Sequence, residues 1–195
     1  MGTRISRDFM FLSGVHYEGN FLMNSYDVTL TLTVETDSIV EQNVAMDRIK
    51  YFLYEQIENC VFVQDSESKV IEKYQAAGLR VCALPEQPYD QIITIVLLYK
   101  LNAICEGRLT VTDIQLTSSL SDGVGFLYDI EDLALSHPYK NGWWTDATAS
   151  FSSFVPGKKE KIVKLVKKCD WTSLSLDWND KEHCAEIIFT PETEK

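Results

Sequence analysis

PYDQIITIVLLYKLNAICEGRLTVTDIQLTSSLSDGVGFLYD (Pro88–Asp129) is the stretch on which the reading of the fold turns. From Asp90 to Glu106 it holds no proline or glycine. Ile92, Ile93, Ile95, Val96, Leu97, Leu98, Leu101, Ile104 and Cys105 place apolar groups on nearly every side. Such a run is a buried strand or a buried helix, and periodicity alone does not separate the two. Length decides for a helix, since strands usually stop near about 5 to 6 residues. Gly107 stands where a helix C-terminal cap belongs, although the β-branched content argues the other way. With Lys100 and Asn102 inside, the run is too short and too polar to span a bilayer. A helix apolar all round must lie between a sheet and another helix. Beyond it, Leu109 and Val111 share one face of a strand, whereas Ile114 and Leu116 have the opposite parity, which predicts a bulge near Asp113. Residues 118–123 then turn the chain into a last strand over 124–128.

Working outward, FMFLSGVHY (residues 9–17) reads as an apolar first strand bent or bulged at Ser13-Gly14. Gly19-Asn20 marks a turn. In the next segment Tyr26, Val28, Leu30, Leu32 and Val34 alternate with Asp27, Thr29, Thr31, Thr33 and Glu35. Period two with β-branched residues means an antiparallel strand, one face buried and one wet. Ser38 and Glu41 have the spacing of a capping box, and the helix after them aligns Ala45, Ile49, Phe52, Leu53 and Ile57 on one stripe before ending near Asn59-Cys60. Asp65 or Ser66 caps a shorter polar helix closed by Gly78, and residues 79–84 form a short extended piece.

After Glu131-Asp132 the character shifts. A loop over 137–142 leads into an aromatic, Ser/Thr-rich strand over 143–154. Residues 158–170 then read as an amphipathic helix with Ile162, Leu165, Val166 and Cys169 inward, and strands follow at 174–178 and 185–189. The division is residues 1–132 as one domain and 133–195 as an α+β extension.

Composition narrows the function. The net charge of −11 argues against a general nucleic-acid or anionic-membrane binder, which needs a positive surface. No signal-peptide pattern opens the chain. The five cysteines include no CxxC pair. They read as buried, reduced thiols of a cytoplasmic protein and lack the close spacing of a zinc site.

The order strand, strand, helix, helix, strand, strand over residues 9–129 resembles the tunnelling fold (T-fold) of the 6-pyruvoyl- and 6-carboxytetrahydropterin synthases. Matching stretches carry the resemblance. FMFLSGVH resembles that family's Phe-x-Ala-Ala-His strand, and SYDVTLTLTVE the strand after its His-Gly-His motif. PYDQIITIVLLYKL stands at its Pro-Thr-Ala-Glu-Asn helix start, and DIQLTSSLSDGVGFLYD resembles its Val-x-Val-x-Glu-Thr to Tyr ending. The resemblance covers about two thirds of the chain. It implies an α+β fold with an antiparallel four-stranded sheet and two crossover helices. It also implies a homo-oligomer in which sheets join edge to edge into a barrel, with ligands bound between subunits.

The family's functional residues are mostly missing. It holds zinc with three histidines. His16 matches the first, but Leu22-Met23-Asn24 stands where His-Gly-His is expected, and Leu, Met and Asn make no zinc set. The nucleophilic cysteine between the first two strands is absent, as is its histidine partner near residues 58–65. The glutamate that anchors the pterin falls near Ser118, while Asp90 and Gln91 keep an acidic or amide group nearby. No zinc, no cofactor and no catalytic set is therefore expected. By position, Asp90, Gln91 and Ser118 are the candidate ligand-binding residues for a small heterocycle. His183-Cys184 would point to opposite faces of a strand, and His137 is a loop residue.

The rival reading is an assembly module that docks a protein partner. The lysine face over 158–168, including Lys161, Lys164 and Lys168, is positive on an acidic protein, and Trp143-Trp144 resembles an interface pair. A third reading relocates a catalytic set to Asp90, Asp113, Ser118 and Asp122.

Overall fold

The computed structural model describes residues 3–131, 139, 141–151 and 170–179. Within them the chain builds one mixed six-stranded sheet in the order β4-β3-β1-β2-β5-β6. Strands β1 (Arg4–Tyr17) and β2 (Asn20–Val34) form a long hairpin. Its two-residue loop, Glu18-Gly19, has both φ angles positive, at 48° and 79°. That is the turn geometry whose twist suits a tight hairpin. Tyr26, Val28, Leu30 and Leu32 are buried as the alternation requires.

Helix α1 (Ile39–Tyr51) starts on Ser38, whose side chain accepts from Glu41 N, and continues as a π-helical turn, Phe52–Ile57. Only half of the expected capping box forms. Glu41 accepts instead from Thr36 Oγ1 at 2.6 Å, and Thr36 Oγ1 in turn accepts from Ser38 N. Ala45, Ile49, Phe52, Leu53 and Ile57 are all fully buried.

Strand β3 (Cys60–Gln64), helix α2 (Ser68–Ala76) and strand β4 (Arg80–Leu84) follow as a parallel β-α-β unit. This unit corrects the four-stranded antiparallel sheet. Residues 60–64 show no alternation because both faces are covered: Cys60 and Phe62 belong to the main core, while Val61 and Val63 pack against Ile71 and Tyr74 of α2. A strand buried on both faces looks like any apolar run. Helix α2 also begins later than expected, with Glu67 at its N-cap and no side-chain cap.

Helix α3 (Asp90–Cys105) lies under the sheet as the central buried element. It ends at Glu106 and Gly107, both in the left-handed region. Strand β5 (Leu109–Ser118) pairs with β2, and β6 (Gly125–Asp129) with β5. The expected bulge is present: Thr31 faces Asp113 and Leu32 faces Val111, so Thr112 is the extra residue. Asn102 supports it from α3. Its Oδ1 accepts from Val111 N at 2.9 Å and its Nδ2 donates to Val111 O at 3.1 Å. The predicted bulge at Ser13-Gly14 does not form, since β1 keeps one register with β2 from Arg4 to Tyr17. Gly14 is needed there for close approach: a Cβ would lie 2.5 Å from the Phe21 ring.

The described residues after 131 pack on the same core through Tyr139, Trp144, Ala149, Trp171 and Leu176. The strands expected at 143–154 and 174–178 are not formed among the described residues. Trp143–Thr145 is a 3₁₀ turn, and residues 171–175 make turns. Backbone carbonyls that a strand would give to a neighbour go elsewhere. Lys100, fully buried, donates to Trp143 O and Asp146 O. Trp171 O accepts from Leu174 N and Leu176 N. Arg48, also buried, donates to Leu176 O, Ile104 O and Glu106 Oε1 and stacks on Trp178 at 3.6 Å and Trp171 at 4.5 Å. The expected boundary at 132, the helix at 158–170 except its last residue, and the strand at 185–189 lie outside the described residues.

Candidate functional site

The inward side chains of the hairpin tip, Val15, Tyr17, Leu22 and Asn24, meet the start of α3 and the β5–β6 turn around a cavity of about 410 Å³. Pro88, Tyr89 and Asp90 form one wall, and Leu120, Ser121 and Phe126 another. Pro88 fixes the entry into the helix, and Asp90 opens its first turn, where a carboxylate suits the helix dipole. Strand parity does the rest: residues 15, 17, 22 and 24 share the face that carries the core.

Most of the lining is apolar, and its polar groups converge on the floor. Ser118 Oγ donates to Asp90 Oδ2 at 2.6 Å. Burial pushes the Asp90 carboxyl above its ordinary value, against the lowering effect of hydrogen bonds from Ser118 and Ser121. Asn24, itself buried, accepts through Oδ1 from Ser119 Oγ at 2.8 Å and Leu120 N at 3.2 Å. Those bonds fix the carboxamide, whose side chain also approaches the Tyr26 hydroxyl in the core. Asp90 and Asn24 are thus a carboxyl and a carboxamide in an otherwise largely apolar lining. At the rim the Tyr17 and Tyr89 rings meet edge to face, 5.4 Å between centroids, with hydroxyls 3.4 Å apart. The hydrogen bond to Tyr89 and the nearby Glu18 raise Tyr17 to about 12. Leu22, Tyr89 and Leu120 stand exposed around the mouth.

Of the residues singled out from sequence, Asp90 and Ser118 are brought together. Gln91, one residue into the helix, is exposed and does not line the cavity. Of the relocated catalytic set, Asp90 and Ser118 meet, Asp113 lies on the sheet opposite Thr31 and Asp129, and Asp122 sits exposed in the β5–β6 turn with φ 50°. Trp144 is buried and donates to Tyr139 O. Trp143 is half-buried, donates to Ala83 O and packs against Phe52 and Phe151. Within the described residues both tryptophans pack against the core. Lys161, Lys164 and Lys168 lie outside the described residues.

The residues do not fit a three-histidine zinc site. His16 points to the other face of β1 from Val15 and Tyr17. Its Nδ1 is 2.9 Å from Tyr74 Oη and its Nε2 3.2 Å from Glu67 Oε2. Both nitrogens are engaged in tying α2 to β1. No group of three or more His, Cys, Asp or Glu among the described residues is placed to hold a metal. Cys60, Cys82 and Cys105 are free and buried, and burial raises Cys82 and Cys105. No described helix is long and apolar enough to cross a membrane.

Asn24, Tyr17, Tyr89 and Ser121 escaped the sequence reading as site residues. Asn24 was weighed only as a failed zinc ligand, yet its parity with Tyr26 and Val28 already put it on the inner face.

The path of the chain is similar to that of known structures. An uncharacterized protein of Wolinella succinogenes aligns with a TM-score of 0.49 and 11% identity, covering 67% of this chain and 99% of that one. The 6-pyruvoyl tetrahydropterin synthase of Plasmodium falciparum aligns with a TM-score of 0.42 and 12% identity, covering 65% and 96%. These likenesses concern the arrangement of elements and say nothing about the site. No family model matches the sequence, and no curated protein matches it.

Proposed function

We propose that the cavity beside Asp90 is a binding site for a small planar heterocycle and that the chain does not carry out zinc-dependent synthase chemistry. The observation that carries this reading is that a carboxyl, Asp90, and a carboxamide, Asn24, both line a cavity whose other walls include Tyr17, Tyr89, Leu120 and Phe126; in this reading the first accepts from the ligand and the second donates to it. An apolar pocket with a few convergent polar groups is the usual form of a small-molecule site. A ring that presents N–H and C=O side by side satisfies both floor groups. The aromatic and aliphatic walls take its faces.

A neighbouring copy of the chain completes the mouth in this reading. Among the described residues β3 pairs with β1 only at Gly14 and Val15, so the N-terminal two thirds of β1 has no described strand partner besides β2, and β6 ends the sheet on the far side. Long open edges in soluble proteins are normally paired or covered.

Equilibrium dialysis of the purified chain against pterins and purines tests the function. Saturable binding is expected, and binding of Asp90→Ala should be at least about tenfold weaker. Absence of binding at millimolar ligand sinks the small-molecule reading. Stoichiometric zinc in the purified protein contradicts the second half of the proposal.

A further inference from the structure

The face of the sheet opposite α1 and α3 carries large apolar side chains that no described residue covers. Met10, Leu12, Phe21 and Met23 are there, 62%, 46%, 45% and 56% exposed. Their register makes them one patch. Met10 faces Asp27, Leu12 faces Ser25, and Gly14 faces Met23, so Leu12 and Met23 are diagonal neighbours across the hairpin. The core is supplied by the alternate residues Phe9, Phe11 and Tyr26, so folding does not require apolar side chains on this side. A contiguous exposed patch of this kind marks an interaction surface.

The patch has a wall and a sign. Helix α2 covers this face over β3 and β4 through Ile71 and Tyr74. Phe21 leans on Tyr74 with ring centroids 5.8 Å apart. Over β1 and β2 the described chain lays no helix beside α2. Asp8 and Asp27 flank Met10, and Asp113 and Asp129 oppose each other farther across the same face. Arg4 is the cation that β1 contributes to this face, at its far end. An acidic rim repels anionic lipid and nucleic acid, and it attracts lysine and arginine. Two methionines in the patch give it adaptable, polarizable contacts, as in grooves that accept helices of varied sequence.

We propose that this face docks a basic amphipathic α-helix of a partner protein, alongside α2. The helix lays its apolar stripe on Met10, Leu12, Phe21 and Met23. Its flanking Lys or Arg side chains reach Asp8 and Asp27. Helix-in-groove recognition reads such anchors at i, i+3, i+4 and i+7.

The test uses the full chain and a synthetic helical peptide with leucines at those spacings and lysines elsewhere. The control peptide has the same leucines with glutamates. The Leu/Lys peptide should bind, more weakly as salt is added, and the Leu/Glu peptide should not. Met10→Lys combined with Met23→Lys should weaken binding at least about tenfold with the thermal transition unchanged, because both side chains are exposed. Ile39→Lys, on α1 away from the patch, should leave binding as it was. Equal affinity of the Met10/Met23 variant and the unaltered chain, or equal binding of both peptides, overturns the proposal. Failure of dialysis at the cavity would leave this result untouched, since the two sites lie on opposite faces.

Discussion

Asp90 concentrates the tension between stability and function. Burial raises its pKa, so ionisation is less favourable in the folded chain than in the unfolded one. Stability from this group is full below the ordinary carboxylate value and is lost as pH rises through the raised one. At neutral pH ionisation of this group therefore costs stability, a cost that its proposed role as acceptor accounts for. Asp90→Asn should melt higher than the unaltered chain at pH 7. That difference should vanish at acidic pH, and ligand binding should be weakened; thermal melts across pH measure the first two. Lys100 shows the converse case. Burial lowers it from 10.5 to about 8, so the fold gains stability as pH rises across that window, where the folded chain has lost a proton that the unfolded chain still holds. Melting curves of the unaltered chain and Lys100→Met should diverge between those values, and parallel curves would mean that the lysine is solvated. Asp90 and Ser118 were legible from sequence through the family resemblance, which sets its substrate-anchoring position at a strand end beside a helix start. Asn24 and Lys100 were not, because their roles come from residues 60 to 100 positions away or from backbone carbonyls.

At the scale of elements, α3 and the bulged β5 act as one unit. The bulge at Thr112 breaks the ladder, and Asn102 supplies the hydrogen bonds that Val111 N and O would otherwise lack. Leaving buried backbone groups unpaired costs about 1 to 3 kcal/mol each. Asn102→Leu should therefore destabilise the fold by about 2 to 4 kcal/mol in denaturant unfolding, despite matching the apolar surroundings. A loss under about 0.5 kcal/mol would show that the bulge is satisfied in some other way. The helix, the hairpin and the bulge were legible because length, alternation and parity change are local signals. β3 was not, since covering both faces of a strand erases its period. The turns at 143–145 and 171–175 misled for another reason: alternating apolar residues also arise where Trp144, Trp171 and Leu176 each drop singly into a core.

For the whole molecule, the sheet has unequal edges. Leu12 O is taken by Asn59 N, and the alternation that turns it outward also turns the amides of Arg4, Ser6, Asp8 and Met10 to the side that no described strand pairs. Association of copies through β1 and β6 is the expected outcome in light scattering. Ser6→Pro, which keeps the ladder to β2 but removes an outward donor, should shift the population toward smaller species. A monomer at all concentrations would remove the neighbouring copy from the account of the cavity mouth. The central claim is the proposed use of Asp90 as acceptor and Asn24 as donor for a ring in the cavity, and calorimetric titration tests it most directly. A planar ring with adjacent N–H and C=O is compared with the same ring methylated on that nitrogen, against the unaltered chain, Asp90→Ala and Asn24→Ala. The account predicts binding of the unmethylated ring alone, reduced at least about tenfold by either substitution. Equal affinity for both rings, or binding indifferent to Asp90 and Asn24, would contradict it.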